Sequence, residues 1–272
     1  MGEGPLHGAV RKADKAHGDD TTLSRFVKIK GERKHPNRQP HLPGLEKGFV
    51  AEARTKFTKS VKSVSEMKHL LVSGHSNVKI GRDVRKGKFK GYFIYTLSLE
   101  ERKTCPSSCQ HWQTCYGNNM PFAKRIDHTT DDFLPRLEKE IALLCKHHPA
   151  GVLIRLHALG DFYSQNYVEF WMRMLRFHPA LAIFGYTARD PSPSFHPTIG
   201  HLIEEMNFRN KDRCMIRFSN GGRAEMSTMT IRDKDSEHDG AFICPEQSGK
   251  TQCCATCGAC WSTTKNVAFM EH

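Results

Sequence analysis

The sequence lacks any long hydrophobic run. No stretch approaches the ~18 consecutive apolar residues typical of a membrane-spanning helix. The first twenty residues, MGEGPLHGAVRKADKAHGDD, contain no apolar core of a secretory signal. We therefore expect a protein with no membrane partner that is located in the cytoplasm. Thiols stay reduced in that compartment, so the ten cysteines favour metal binding over a disulfide framework.

Acidic residues are also scarce. The 29 Asp and Glu residues stand against 41 Lys and Arg residues, which gives a net charge of +12 and a pI of about 9.3. A basic surplus of this size predicts a polyanionic partner, nucleic acid or a nucleotide first, although diffuse solubilising charge also fits it. Residues 1–48 are basic and poor in apolar periodicity. We expect them to form a flexible, partly extended segment, either a solvated tail or an arm that orders on phosphate.

From about residue 49, strand-like runs alternate with helical patterns. Helical periodicity is present in TTDDFLPRLEKEIALLCKHH and SQNYVEFWMRMLRFHP, whereas GVLIRLHALGDF, LAIFGYTAR and CMIRFSNG are typical of strands. This alternation predicts an α/β fold with a parallel sheet, either open or curled into a partial (β/α) barrel. We assign residues 49–240 to this core and residues 241–272 to a C-terminal cysteine-rich loop.

Two groups of cysteines dominate the chemistry. The first, in CPSSCQHWQTCYG, contains Cys105, Cys109 and Cys115 at the spacing C-x3-C-x5-C. Three thiolates on a four-iron cluster leave one iron open to a ligand other than protein. Cys145, Cys214 or His111 can serve as a fourth ligand, but both cysteines are typical of buried inert thiols and the histidine of a solvated loop.

The second group lies in CPEQSGKTQCCATCGACW. Three of its cysteines follow the pattern C-x2-C-x2-C, and an earlier Cys-Pro resembles the distant fourth ligand of ferredoxin-type clusters. A four-cysteine zinc ribbon is the alternative, although it usually contains two separate C-x2-C pairs. Cys253 is an alternative to Cys254 as a ligand. The predicted ligands are Cys244, Cys254, Cys257 and Cys260.

Four motifs resemble the "gene product 88" domain family of phages and plasmids. They are LEERKTCPSSCQHWQTCYGNNMPFAKR, LIRLHALGDFYSQNYVEFW, FGYTAR and CPEQSGKTQCCATCGACW, and they span roughly residues 90–272. More distantly, the arrangement is similar to the radical S-adenosylmethionine (SAM) superfamily, which places a three-cysteine loop after the first strand of a partial barrel. The usual spacing there is C-x3-C-x2-C with an aromatic before the last cysteine, whereas here the last gap is five residues and Tyr116 follows it.

The SAM resemblance implies a cofactor site at the end of the second strand. In that superfamily a glycine-rich turn with a carboxylate holds the SAM amino group, and Gly160 and Asp161 stand at the matching point. A small residue followed by an anionic acceptor suits an ammonium group. Asp161 is equally compatible with stabilising the start of the next helix. In the same way, Asn118 and Asn119 either contact a ligand near the open iron or form a plain turn.

Further polar residues lie near the strand ends. Arg155 and His157 alternate with apolar residues, which predicts that both project from one face of their strand. Arginines at one rim suit a phosphate, carboxylate or nucleotide, although buried arginines can also satisfy backbone carbonyls. The catalytic candidates are Asp161, Arg155 and His157. The other candidates for cofactor binding are Thr187, Arg189, Arg217 and Ser219.

Two functions fit this pattern. The first is an enzyme with two [4Fe-4S] clusters and radical-SAM-like chemistry, acting on a nucleotide or nucleic-acid-related substrate with a reductant such as a ferredoxin or flavodoxin. The second is a non-enzymatic nucleic-acid-binding protein whose clusters are structural or redox-sensing. Zinc in place of iron is a further alternative to both.

Overall fold

The computed structural model describes residues 55, 57–106, 108–111, 115–191, 198–219 and 225–271, together with two short strands nearer the N-terminus. The strands are β1 (Lys28–Ile29), β2 (Glu32–Arg33), β3 (Val61–Lys62), β4 (Val72–Ser73), β5 (Phe93–Ser98), β6 (Arg125–Ile126), β7 (Val152–Leu159), β8 (Leu181–Thr187), β9 (Cys214–Phe218), β10 (Thr228–Ile231), β11 (Phe242–Ile243) and β12 (Val267–Met270). The helices are α1 (Glu101–Thr104), α2 (Phe133–His147), α3 (Gln165–Phe177), α4 (Ile199–Arg209), α5 (Cys254–Cys257) and α6 (Ala259–Ser262). The predicted flexibility of residues 1–48 concerns residues that, apart from β1 and β2, lie outside those described.

The main sheet has the strand order β4-β5-β7-β8-β9. Strands β5, β7, β8 and β9 are parallel, and β4 pairs antiparallel with β5 at one edge. Helices α2, α3 and α4 connect consecutive parallel strands, so neighbours in the chain are also neighbours in the sheet. Within the described residues this sheet does not close on itself. The α/β fold with a partial-barrel-like parallel sheet is therefore confirmed.

The connecting helices follow the apolar periodicity of the sequence. Helix α2 buries Phe133, Leu137 and Ile141, which are spaced four residues apart and so lie on one helical face. Helix α3 begins after Ser164, whose hydroxyl accepts a hydrogen bond from the backbone N–H of Tyr167 at 3.2 Å. No helix in the described part of the chain has both the length and the apolar character that a membrane span requires.

The two faces of the main sheet pack against different parts of the chain. Ile154 and Ile183 belong to the core that the helices cover. Phe184 belongs to a second core, on the opposite face, together with residues of the segment 80–89 and of the C-terminal region. There the rings of Phe184 and Trp261 meet edge to face with centroids 4.8 Å apart. The cysteine-rich C-terminal region therefore covers the sheet face that the helices leave open.

A smaller parallel sheet joins this region to the core. Its strand order is β10-β12-β11, and Phe218 at the end of β9 bridges Ser227, directly before β10. Strand β12, from the predicted C-terminal loop, pairs along its length with β10, from the predicted core. Strand pairing thus connects residues 241–272 to the α/β unit.

Candidate metal centres

The first cysteine site, defined as Cys105, Cys109 and Cys115, lies at the carboxyl end of β5. Helix α1 follows that strand and ends directly before Cys105, and a 3-10 turn over Tyr116–Asn119 directly follows Cys115. Burial raises the pKa of the Cys105 thiol, and the nearby Asp161, Cys109 and Cys115 raise it further. The fold therefore brings the three predicted thiols together at the end of the sheet where ligands gather in parallel α/β proteins.

A buried ion pair fixes both ends of this loop. Arg125 is fully buried and donates to both carboxylate oxygens of Glu101, at 2.7 and 3.0 Å. The same guanidinium donates to the carbonyl of Gly117 at 3.1 Å. Because Glu101 lies in α1 and Gly117 lies in the turn after Cys115, one arginine holds the segments on either side of the three thiols. This bidentate geometry is the strongest form of such a pair.

A second buried cation lies near the thiols themselves. Arg102 is 2% exposed and donates to the Asn118 side-chain carbonyl at 3.3 Å. Burial raises the pKa of Cys109 to about 12, and the Arg102 charge acts in the opposite direction. Burial likewise raises the pKa of Cys115, again opposed by Arg102. Burial therefore favours the neutral thiols at this site, and a neighbouring positive charge favours thiolates.

The C-terminal cysteine site is defined as Cys244, Cys254, Cys257 and Cys260. Burial raises the pKa of Cys254 to about 12, and the charges of Cys260, Cys244 and Cys257 contribute in the same direction. The four predicted thiols are therefore neighbours. The Cys253 sulfur lies 3.6 Å from the Thr256 hydroxyl. The choice of Cys254 over Cys253 as the ligand stays a prediction.

Side chains of the main sheet lie beneath this site. The Tyr186 hydroxyl of β8 donates to the Cys260 sulfur at 3.0 Å. The Arg155 guanidinium of β7 lies over the Tyr186 ring, 5.4 Å from its centroid, and opposes the burial that raises the pKa of Cys254 and Cys260. The Arg155 Nε is buried and has no hydrogen-bond partner among the described residues. A buried donor without a partner beside four thiols fits an acceptor such as thiolate or inorganic sulfide.

Arg217 of β9 fixes the backbone of the C-terminal site. Its fully buried guanidinium donates to three carbonyls, those of Cys260 at 3.3 Å, Lys265 at 2.7 Å and Thr263. Arg217 was predicted to bind a cofactor, and the structure instead gives its donors to the chain itself. This is the backbone-satisfying role that the sequence left open for buried arginines.

Gly160 and Asp161 form an internal junction between strand ends. A Cβ at Gly160, where φ is +89°, would lie 2.7 Å from the Thr104 hydroxyl, so close packing on α1 explains the glycine. The Asp161 carboxylate accepts hydrogen bonds from the backbone N–H groups of Phe162 and Ala188, at 2.7 and 2.8 Å, and from Thr187 Oγ1 at 2.7 Å. Burial raises its pKa to about 6. Most of its acceptor capacity is therefore used within the protein.

The remaining predicted cofactor residues have similar internal contacts. Arg189 donates to the carbonyls of Phe162 and Thr104, both at 2.7 Å. Ser219 donates to the carbonyl of Thr187 at 2.9 Å. Asn119 lies in the 3-10 turn directly after the first cysteine site. These residues join the ends of β8 and β9 to the segments that carry the thiols.

The prediction that Arg155 and His157 share one face of β7 was wrong. Arg155 lies on the cysteine-facing side, whereas His157 Nε2 lies 3.0 Å from the hydroxyl of Tyr167 in helix α3. The pairing of β7 with β5 shifts here, since Thr96 is opposite Arg155 but Ser98 is opposite Leu159. Between these two pairs β7 has more residues than β5, and this breaks the alternation of its side chains between the two faces of the sheet. Burial lowers the pKa of His157 to about 3, so a neutral imidazole lies in the helix-facing core.

The possible fourth ligands of the first site have other contacts. The Cys214 thiol is at the start of β9 and donates to the Asn207 side chain at 3.2 Å. Cys145 is in the last turns of α2, and His111 Nε2 lies 2.9 Å from the Thr230 hydroxyl. Within the described ranges, no three Cys, His, Asp or Glu side chains are arranged so that they can hold a single metal ion. The assignment of the two sites therefore rests on their neighbouring thiols and buried cations.

The residues that sequence reasoning missed are charged ones. Glu101, Arg102 and Arg125 are almost fully buried, although charged residues are seldom buried unless paired. The available signal was the run of charges in LEERK, which directly follows a strand and ends two residues before Cys105. That run was compatible with an exposed turn, and only the fold shows that Arg125 returns to it.

Comparisons with known proteins identify the family of this chain. The family model described as Gene product 88 matches residues 69–263, which include both cysteine sites. The Gene 88 protein of Mycobacterium phage L5 is 26% identical over 232 residues, covering 76% of this chain and 94% of that protein. No solved structure matches the chain. Because the family match extends over well over half of the sequence, the chain belongs to the Gene product 88 family, as its motifs predicted.

Proposed function

We propose that this protein is an iron–sulfur protein with two [4Fe-4S] clusters and radical-SAM-like enzymatic activity. Cys105, Cys109 and Cys115 would hold the cluster with an open position, and the C-terminal cysteine site would hold a fully ligated auxiliary cluster. The observation that carries the proposal is a guanidinium beside each group of thiols, that of Arg102, which is buried, at the first site and that of Arg155, which is partly buried, at the second.

The physical argument concerns charge. Neutral thiols carry no charge that attracts a neighbouring guanidinium, whereas thiolates do. A cluster held by thiolates is anionic, so it compensates an adjacent guanidinium and accepts its N–H hydrogen bonds. The donor without a partner at Arg155 Nε fits this description. A bound cluster would supply one-electron chemistry, while the protein sets the charge and the hydrogen bonds around it.

The SAM component depends on the open position at the first site. Asp161 was the expected acceptor for the SAM amino group, but three internal hydrogen bonds occupy most of its lone pairs. We therefore assign Asp161 a positioning role at the ends of β7 and β8, and we propose that SAM contacts the protein at the open iron. A ferredoxin or flavodoxin would supply the electron.

The proposed substrate is a nucleotide or a nucleic-acid-related molecule. The net charge of +12 favours a polyanion. We place the protein in the cytoplasm, where reduced thiols persist, and all ten cysteines are free of disulfides in the structure.

The test is a reaction of reduced, reconstituted protein with SAM. The proposal predicts formation of 5′-deoxyadenosine, and a Cys109→Ser variant should abolish it while the C-terminal cluster persists. If no 5′-deoxyadenosine forms although both clusters are present, the enzymatic part of the proposal is wrong and the iron–sulfur part stands.

A second candidate is a non-enzymatic nucleic-acid-binding protein with structural or redox-sensing clusters. The internal hydrogen bonds of Asp161, Arg189 and Ser219 favour it, because these strand-end groups hold the fold together. This candidate predicts salt-dependent DNA or RNA binding that responds to the oxidation state of the clusters. If the purified protein is colourless and contains stoichiometric zinc, then zinc takes the place of iron in either candidate.

A further inference from the structure

A loop formed by residues 82–91, named here the basic loop, lies directly before β5. Five of its ten residues are exposed cations, and its one acidic residue is Asp83, which lies 3.3 Å from Arg85. Lys88 also lies 3.8 Å from the exposed Asp212, a separation at which an ion pair is weak. The exposed cations are Arg82, Arg85, Lys86, Lys88 and Lys90.

The apolar residues of the basic loop point inward. Val84 is 1% exposed and Phe89 is 5% exposed, and both pack in the core that contains Trp261. The outward surface of the loop is therefore formed by charge with little apolar area. Protein–protein interfaces depend on a desolvated apolar or aromatic centre and are poor in lysine. Phosphate groups along a nucleic-acid backbone require only accessible cations.

The loop has a fixed position on the C-terminal cysteine segment. The backbone N–H of Arg85 donates to the carbonyl of Ala255 at 2.9 Å, and the N–H of Cys254 donates to the carbonyl of Lys79 at 2.8 Å. A Cβ at Gly81 would lie 2.7 Å from the Ala255 Cβ, so the two segments are in close contact. The cations are thus presented on a packed base rather than on a free tail, which reduces the entropy lost on binding.

We propose that the basic loop is the surface through which this protein contacts the phosphodiester backbone of a nucleic acid. The proposal rests on the nucleic-acid-related substrate of the proposed function, and it does not depend on the identity of the metal. It assigns that contact to named side chains, with affinity governed by charge and with little dependence on base sequence.

The test compares two triple variants with equal loss of charge. The first carries Lys86→Gln, Lys88→Gln and Lys90→Gln in the basic loop. The matched control carries Lys139→Gln, Lys146→Gln and Arg176→Gln, exposed positions of α2 and α3 on the opposite side of the sheet. Fluorescence anisotropy with labelled duplex DNA and labelled single-stranded RNA, at several salt concentrations, gives the affinity and its salt dependence.

The loop variant should bind at least about tenfold more weakly, with a log–log salt slope smaller by roughly three, because each lost phosphate contact removes ~0.9 from the slope on duplex DNA. The control should bind like the wild type, and both variants should melt like the wild type. Equal weakening of both variants would overturn the proposal, since binding would then reflect diffuse charge. The proposal is also overturned if the wild type binds neither probe, or if polyglutamate competes as effectively as nucleic acid does. Iron content measured on the same samples tests the proposed function separately.

Discussion

The two cysteine sites are held by different means. The first site lies in a loop that buried charges on either side of it in the sequence hold in place. The main contact is the ion pair of Glu101, before the loop, and Arg125, after it. The C-terminal site lies against a sheet face, and strand side chains such as Tyr186 contact it. The first site has three thiols with two nearby acids, Asp161 and Glu101, in addition to its cations. At the second site Arg155, Arg217 and the Tyr186 hydroxyl act on Cys260, and Glu246 is an acid that acts on Cys244.

This difference has an electrochemical consequence. Nearby negative charges disfavour the addition of an electron to a cluster, whereas cations and hydrogen bonds to sulfur favour it. The acids that raise the pKa of Cys105 would therefore lower the reduction potential of the first cluster. Arg155, Arg217 and Tyr186 would raise the potential of the second. If both proposed clusters form, the first would then be the centre of lower potential.

Removal of thiols should have the largest effect and should separate the two sites. Cys109→Ser should reduce the iron content from about eight to about four atoms per chain, and Cys257→Ser should do the same at the other site. Iron analysis after anaerobic reconstitution measures both. Cys253→Ser and Cys145→Ser serve as controls and should retain the full iron content. If Cys253→Ser loses iron and Cys254→Ser does not, the ligand assignment at the C-terminal site is wrong.

Loss of the buried ion pair should affect stability and the first site together. Arg125→Met leaves the Glu101 carboxylate buried without its partner, which should lower the free energy of unfolding by about 3–5 kcal/mol. Denaturant unfolding measures this change, and iron should be lost first from the first site. The control is Arg209→Met, because Arg209 pairs with Glu205 at 2.6 Å with both side chains well exposed. That variant should lose about 0–1 kcal/mol. Equal effects of the two variants would contradict the proposed role of Arg125.

Strand β7 contributes to both faces of the sheet, since Arg155 faces the cysteines and His157 faces the helices. The pKa of His157 is about 3 in the folded protein, below its unfolded value, because burial disfavours the charged ring. The unfolded state therefore binds more protons below pH ~6.5, and stability is lost as the pH falls toward about 3. Between pH 6.5 and 5 the loss should be about 2 kcal/mol. Denaturant unfolding of wild type and His157→Gln at pH 7 and 5 measures it. The same pH dependence in both proteins would show that His157 is not the cause.

The smallest expected effect is on the potential of the C-terminal cluster. Tyr186→Phe removes the hydroxyl that lies 3.0 Å from the Cys260 sulfur and should lower the midpoint potential without loss of iron. The control is Tyr95→Phe, whose hydroxyl contacts His148 Nε2 at 3.0 Å instead. Redox titration monitored by absorption and electron paramagnetic resonance measures both variants. An unchanged potential in Tyr186→Phe would mean that this hydroxyl does not influence the cluster.

Local patterns in the sequence predicted most of the fold. The periodicity of α2 and α3 and the apolar runs of β7, β8 and β9 were sufficient, because these elements bury regular faces. The spacing of the cysteines also indicated which thiols would be neighbours, since residues of one short loop lie close together. That these thiols are metal ligands stays a prediction. The face of the sheet that a strand residue occupies could not be predicted beyond a local irregularity. His157 was placed on the wrong face, because the register shift in β7 depends on its pairing with β5.

The surroundings of the thiols could not be predicted either. Arg125 lies 24 residues from Glu101, and Tyr186 lies 74 residues from Cys260, so no local pattern connects them. Asp161 and Arg189 were correctly placed near strand ends, but the fold determines that their hydrogen bonds go to the chain itself. Burial of a polar side chain and the identity of its partner are tertiary properties.

Metal and acid-labile sulfide analysis of anaerobically purified protein, with its absorption spectrum, tests the central claim most directly. Two cluster sites predict about eight iron and eight sulfide atoms per chain, together with a brown colour. A colourless protein with stoichiometric zinc and no sulfide would contradict the account, since the thiols and their buried arginines would then surround single structural ions.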